Sequence, residues 1–249
     1  MANPDLAAIQ RRTLRLLFAT QVISGVGVAI GASVGALLAA ELAGTSVSGL
    51  AQSFVVVGAA LLALPATAIV QRSGRRLSLA AAYLVAAVGS IVVVVAAARG
   101  SIALLFAGFF LFGAGTAANM QARYAAVDLA PAALRGRHLS LVVWATTLGA
   151  VTGPNLAAFA GASIRGYGVP TLAGPFAFSA VVFLVAALML TLLMRPDPAV
   201  VARQALAQDP KASRSPRAGL RAAFGVVASH ASARLGMIAM AVGHVVMVG

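Results

Sequence analysis

What this chain lacks is most of what aqueous chemistry requires. There is no cysteine in 249 residues, which excludes disulfides, thiolate nucleophiles and thiolate metal sites. Only five acidic side chains are present (Asp5, Glu41, Asp128, Asp197 and Asp209), and the three histidines, His138, His230 and His244, lie far apart. No HExxH or GxxxxGKS/T string occurs, so zinc hydrolysis and nucleotide hydrolysis have no residues to carry them. An enzyme is not expected, and neither is a cofactor or a metal. Charged residues make up 9% of the chain, where soluble domains carry about 25%. Folded in water, a chain that is 61% hydrophobic would have too little polar surface to cover its core.

What is present is a series of charge-free apolar runs: Leu16–Ala40, Val47–Val70, Leu77–Ala98, Ile102–Gln121, Leu139–Ile164 and Leu172–Met194. Each has the roughly 20 residues that a helix needs to cross about 30 Å of hydrocarbon. Backbone groups in a bilayer must bond within their own segment, so such runs are helices. Barrel strands would alternate polar and apolar residues, and that alternation is absent. The fold class is therefore all-α, a polytopic transmembrane helix bundle. A seventh run begins near Leu235 and is cut off at Gly249. Arg11, Arg12 and Arg15 resemble the basic start of a signal peptide, but the run behind them exceeds the usual apolar stretch of about 7–15 residues, so it reads as a retained first helix.

The net charge of +13 invites a nucleic-acid partner until the charges are placed. With the N-terminus inside, the inner segments hold Arg11, Arg12, Arg15, Arg72, Arg75, Arg76, Arg123, Arg135 and Arg137. They also hold Arg195, Arg203, Lys211, Arg214, Arg217, Arg221 and Arg234, and only Arg99 and Arg165 remain outside. This is the positive-inside pattern of a multi-pass protein of the cell (inner) membrane with a cytoplasmic N-terminus. It accounts for the charge through the lipid bilayer, with no nucleic acid. Seventeen arginines against one lysine, with heavy alanine use, point to a GC-rich bacterial genome.

The organisation expected is a six-helix bundle over 1–194, a cytoplasmic linker over 195–234 and the start of a seventh helix over 235–249. Arg195-Pro196-Asp197-Pro198 stops the sixth helix, and the stretch to about Pro216 is polar. Leu220, Phe224 and Val227 then recur at helical spacing beside Arg217 and Arg221, which suits either a short interfacial helix or a solvated loop. The glycine-bearing first and fourth spans, and the turns Ser73-Gly74-Arg75 and Arg165-Gly166-Tyr167-Gly168, suggest a 3+3 inverted repeat. Small residues recur every four positions: Gly27, Gly31 and Gly35 in the first span, and Ala145, Gly149, Gly153, Ala157 and Gly161 in the fifth. Such stripes serve static close packing or a sliding face. Pro154 removes one hydrogen bond from the fifth helix and predicts an interruption or bend there.

Three strings carry a family resemblance. Gln71-Arg72-Ser73-Gly74-Arg75-Arg76, with Thr67 four residues upstream, resembles the G-x-x-x-D-R-x-G-R-R loop between the second and third helices of the major facilitator superfamily. Asp128 to Gly136 resembles that family's D-x-x-P-x-x-x-R-G loop, and Gly149 to Pro154 matches the G-x-x-x-G-P motif of its drug/proton antiporters. The match covers the chain but only the N-terminal half of a usual twelve-helix transporter. Thr67 and Gln71 stand where the family has glycine and aspartate, and Phe109 stands where its fourth-helix R-x-x-x-G-x-G pattern has arginine. An uncharged Gln71 pulls less strongly on an arginine or a helix N-terminus than aspartate does.

The resemblance implies a major facilitator-type bundle whose first and fourth helices line a central cavity. Gln21 and Ser24 on the first helix, and Phe109, Phe112, Thr116, Asn119 and Arg123 on one stripe of the fourth, are then the expected substrate pathway; Trp144 and Asn155 in the fifth are further candidates. The alternative is that the aromatics only fill gaps between helices. Candidates for coupling are Glu41, at the outer end of the first helix, and His244 in the incomplete seventh span. The expected function is transport of small molecules by alternating access, as efflux of amphipathic compounds driven by a proton gradient. A facilitator or importer of a small metabolite is the alternative. So is a non-transporting fragment, or a half that needs the missing C-terminal half or a partner subunit.

Overall fold

The computed structural model describes residues 4–164, 169–207, 225 and 229–248. Among the described residues, six helices are long and apolar enough to cross a membrane. They are α1 (Pro4–Ala43), α2 (Ser48–Ser73), α3 (Arg75–Arg99), α4 (Ile102–Ala125), α5 (Arg135–Ser163) and α6 (Gly174–Leu193). A ten-residue α7 (Pro198–Ala207) follows α6, and α8 (Ala231–Val248) belongs to a second unit beginning at Leu206. The expected interfacial helix around Leu220, Phe224 and Val227 and the turn Arg165–Gly168 lie outside the described residues.

The helices overrun the apolar runs. At 40 residues, α1 is about 60 Å long, roughly twice the hydrocarbon thickness. Its first turns carry Arg11, Arg12 and Arg15 beyond any membrane-length segment. Hydropathy marks only the part of a helix in hydrocarbon, while the backbone ladder continues wherever nothing breaks it. Nor does Pro154 interrupt α5, which is one helix from Arg135 to Ser163. A proline costs one backbone hydrogen bond and some strain, and here the helix continues through that position.

The connection from α2 to α3 is the largest departure from the expected loop. It is one residue, Gly74, at φ +93°, with its N–H on the Val70 carbonyl at 3.0 Å. Thr67 to Ser73 are the last turns of α2, and Arg75 is the first residue of α3. At the other end of α3, Gly100 takes the left-handed conformation and Ser101 N–H returns to Ala96 O at 3.0 Å, which closes the helix.

The most extensive helix pairings are α1 with α5 and α6, α4 with α2 and α3, and α3 with α6. Glycines set the closest of these. A Cβ on Gly149 of α5 would meet Val22 O and Val26 N of α1 at 2.6 Å, and one on Gly113 of α4 would run into Val55 O and Ala59 N of α2. The small-residue stripe of α5 is thus spent within the bundle against α1. On α1, the ring of Phe112 lies over Gly31 and that of Phe183 over Gly27. The core is rich in alanine and phenylalanine, with Phe109, Phe112, Phe176 and Phe183 all buried.

The sixth helix stops at Met194, and the polar stretch behind it is not all loop. Pro198 occupies the first position of α7, and Asp197 accepts from the N–H groups of Ala199 (2.9 Å) and Val200 (3.3 Å). A capping carboxylate followed by proline is a strong helix start, and it sets a helix within the segment read as a linker.

Candidate functional site

Three groups of side chains carry the polar and aromatic chemistry of the bundle. The first lies near the middle of α1. Ser24 Oγ donates to Asn119 Oδ1 of α4 at 2.8 Å and pairs with Tyr83 Oη of α3 at 3.0 Å. Tyr83 Oη is also 2.8 Å from Asn119 Oδ1 and 3.0 Å from Gln21 Oε1, and donates to one or the other. Gln21 Nε2 donates to Asn119 O (3.3 Å) and to Thr146 Oγ1 of α5 (3.1 Å), and Thr146 passes its proton to Val142 O. Gln21, Ser24 and Tyr83 are essentially inaccessible, and Asn119 is 5% exposed. The cluster is neutral, and it ties four helices together at a depth where an unmatched polar group is expensive.

The second group is aromatic. Phe112 meets Phe176 and Phe183 of α6 edge-on, each at 5.5 Å between ring centres, and Phe109 lies 5.7 Å from Phe176. Phe109, Phe112 and Phe176 wall a cavity of about 70 Å³ between α1, α2, α4 and α6, which Gly31 and Gly35, Gln52 and Thr116 also border.

The third group sits at the end of the bundle that carries the α2–α3 turn. Arg75 forks onto Asp128, with Nε to Oδ2 at 2.9 Å and Nη2 to Oδ1 at 3.2 Å, while its Nη1 donates to Gln121 Oε1 at 2.9 Å. Gln121 Nε2 in turn donates to Thr67 Oγ1 at 2.9 Å. Asp197 caps α3 as well as α7: its carboxylate accepts from Arg75 N–H (3.1 Å) and Arg76 N–H (2.7 Å), across 122 and 121 residues. A Cβ on Gly74 would collide with that carboxylate, so glycine is needed both for its φ and for the space. Arg203 Nη1 of α7 donates to the Gln71 carbonyl at 2.6 Å. On the same side, Gln10 Nε2 reaches Ala126 O (2.7 Å) and His138 Nδ1 (3.1 Å).

Of the expected pathway residues, Gln21, Ser24 and Asn119 converge in the neutral cluster, turned toward one another. Phe109, Phe112 and Thr116 border the cavity. Arg123 lies beyond Asn119 toward the Arg75 end, half-buried, with its Nε hydrogen unpartnered. Trp144 is exposed on α5 and stacks against Phe18 at 6.4 Å; Asn155 is exposed and bonds back to Val151 O at 2.7 Å. Neither joins the other groups. Glu41 is exposed at the end of α1, and the side chain of His244 lies outside the described residues. Within the α2–α3 motif, Gln71 and Arg72 are exposed, and Gly74, Arg75 and Arg76 meet Asp197.

Sequence reasoning missed Tyr83, Gln52 and Phe176 and the double role of Asp197. Tyr83 carried a signal, as the one tyrosine within an apolar run. Among the described residues, no group of three acidic, histidine or cysteine side chains is arranged to hold a metal.

The pattern of the Major Facilitator Superfamily matches residues 16–249. The uncharacterized MFS-type transporter YddS of Bacillus subtilis (strain 168) is 42% identical over 194 residues, covering 78% of this chain and 44% of that protein. The uncharacterized MFS-type transporter YdeG of the same organism is 41% identical over 197 residues, 79% of this chain and 46% of its own length. The chain spans less than half the length of these curated relatives.

Proposed function

This chain belongs to the Major Facilitator Superfamily, and from that premise we propose that it forms the N-terminal half of a transporter that exports small amphipathic compounds by alternating access. The observation that carries the choice of cargo is the interior. Its cavity is walled by phenylalanines with the uncharged Gln52 and Thr116 at the border, and no carboxylate lies within the apolar runs. Such a lining favours apolar and weakly polar molecules over polyanions and sugars. The remainder of the pathway comes from a second six-helix half, on the same polypeptide or on a partner subunit, and residues 235–249 begin its first helix.

The two three-helix sets are read as an inverted repeat. Exchanging α1 with α4, α2 with α5 and α3 with α6 turns the α1–α5 pairing into α4–α2 and the α1–α6 pairing into α4–α3, both among the most extensive. The N-terminus is read as cytoplasmic, on the strength of sixteen inner cations against two outer ones. A reporter fused after Arg76 is expected to read cytoplasmic and one after Arg165 external; the reverse overturns the topology.

A proton gradient is the expected drive, and its support is the Gly149–Pro154 motif. Dyes and drugs should accumulate less in cells expressing the transporter that carries this half, and a protonophore should restore accumulation. Unchanged accumulation across the panel removes the efflux reading. Uncoupled facilitation is the second reading, favoured by the exposed position of Glu41 and by Phe109 at the family's arginine position. Flux that persists at zero proton gradient would select it.

A further inference from the structure

The cavity between α1, α2, α4 and α6 has features that close packing does not explain. Its wall is aromatic and aliphatic, yet Gln52 and Thr116 border it, and neither side chain makes a hydrogen bond within the described residues. Other hydroxyls in the spans behave differently. Thr20, Ser90, Thr146, Thr152 and Thr191 each donate to the carbonyl four residues back. Both residues are half-buried, so their polar groups can meet a partner that enters the cavity without giving up a bond inside the bundle.

Gly35 adds to this. On the same face of α1, Gly27 and Gly31 are closed over by phenylalanine rings at 3.1 Å or less. A Cβ on Gly35 would stand 3.7 Å from Phe109 Cε1 and 3.8 Å from Phe176 Cζ, an ordinary contact. Helix packing therefore does not demand a glycine at this position. Its effect is to widen the cavity.

The chemistry of an occupant follows from the lining. No bordering residue is ionisable, so a carboxylate or ammonium would enter a low-dielectric site without a counter-charge. Nor is there an open aromatic box for a cation. Phe112 and Phe176 meet edge to face, at 72° between their planes, so an aromatic face is already occupied by a neighbouring ring. The volume, about 70 Å³, is half the roughly 150 Å³ of a closed cavity that admits benzene. It takes part of one ring entering from the side, and a fused polycycle does not fit.

We propose that this cavity receives the edge of one uncharged six-membered ring that carries a hydroxyl or carbonyl group, as in a simple phenol, with Gln52 and Thr116 hydrogen bonding to that substituent. The assignment rests on the transport reading and narrows its substrate class.

The test is fluorine NMR on the 249-residue chain in detergent, titrated with para-fluorophenol, with fluorobenzene and para-fluorobenzoate as matched controls. Saturable binding of the phenol is expected, with fluorobenzene weaker and the benzoate not saturable. Gly35→Leu fills the space and should weaken phenol binding at least about ten-fold. Thr116→Val keeps the shape and removes the hydroxyl, and should weaken it about five-fold, as should Gln52→Leu; neither should change fluorobenzene binding. Thr116→Val preserves the test should Gly35→Leu fail to fold. Equal phenol binding by wild type and all three variants overturns the proposal, as does tighter binding of the benzoate. The transport reading is scored separately in cells. Saturable binding without energy-dependent extrusion removes that reading and leaves the cavity assignment standing, whereas extrusion without saturable phenol binding does the opposite.

Discussion

At the level of Ser24, four helices meet through amides and hydroxyls without a single charge, whereas at the end that carries Gly74 the same bundle is tied by Arg75, Asp128 and Asp197. Both clusters pair their polar groups across distant parts of the chain. They differ in what their surroundings allow. In hydrocarbon an ion is costly even when paired, so the deep cluster is built from groups that trade neutral hydrogen bonds. At the helix ends, Arg75 and Asp128 keep 13% and 17% of their side-chain surface exposed, and nearby backbone N–H groups favour a carboxylate. Depth selects the chemistry, and the lesson extends to the cavity beside Phe112, where the free polar groups are also uncharged.

The largest test of this contrast is Asn119→Leu. It removes the acceptor shared by Ser24 and Tyr83 and leaves two hydroxyls to re-pair in an apolar interior. A loss of about 3 kcal/mol is expected in detergent unfolding, with no dependence on salt. A loss below about 1 kcal/mol would show that the cluster is not a tie between helices.

Asp197→Ala should cost about 2 kcal/mol, because two helix N-termini lose one shared cap. Amide exchange at Arg75, Arg76, Ala199 and Val200 should rise together in that variant; a rise on α7 alone would show that the α3 contact carries nothing. Gly74→Ala should displace the same carboxylate, so combining it with Asp197→Ala should add less than the sum of the two.

Asp128→Asn should cost about 1.5 kcal/mol at low ionic strength, and the difference from wild type should shrink as salt is added. At the small end, Tyr83→Phe should cost about 0.6 kcal/mol, since Ser24 and Asn119 still satisfy each other, and salt should leave that value unchanged. If salt moved both variants alike, the distinction between a charged end and a neutral depth would fail.

Much of this was legible in the chain and some of it was not. The six spans follow from run length, because a bilayer imposes a minimum on every crossing helix. Gln21, Ser24 and Asn119 stand out as polar residues in apolar runs, and they meet in one hydrogen-bonded cluster. That they face one another was not legible, since Tyr83 is 59 residues from Ser24 and 36 from Asn119. Asp197 read as part of a helix stop between two prolines. Its role appears only when the ends of α3 and α7 meet. Gln71 read as a weakened latch because it replaces the family's aspartate. In the fold its side chain is exposed, and the carboxylate at that turn arrives from Asp197 instead.

By itself, then, the amino-acid sequence determined that this is a multi-helix membrane protein of a transporter family, because hydrocarbon thickness, charge placement and short motifs are local properties. Tertiary structure alone decided how its polar groups are spent. It closed Gln21, Ser24, Tyr83 and Asn119 into a neutral knot, set Asp197 over two helix ends, and left Gln52 and Thr116 free at a cavity beside Gly35. A hydrogen bond has a range of about 3 Å, and only folding brings residues a hundred positions apart within it.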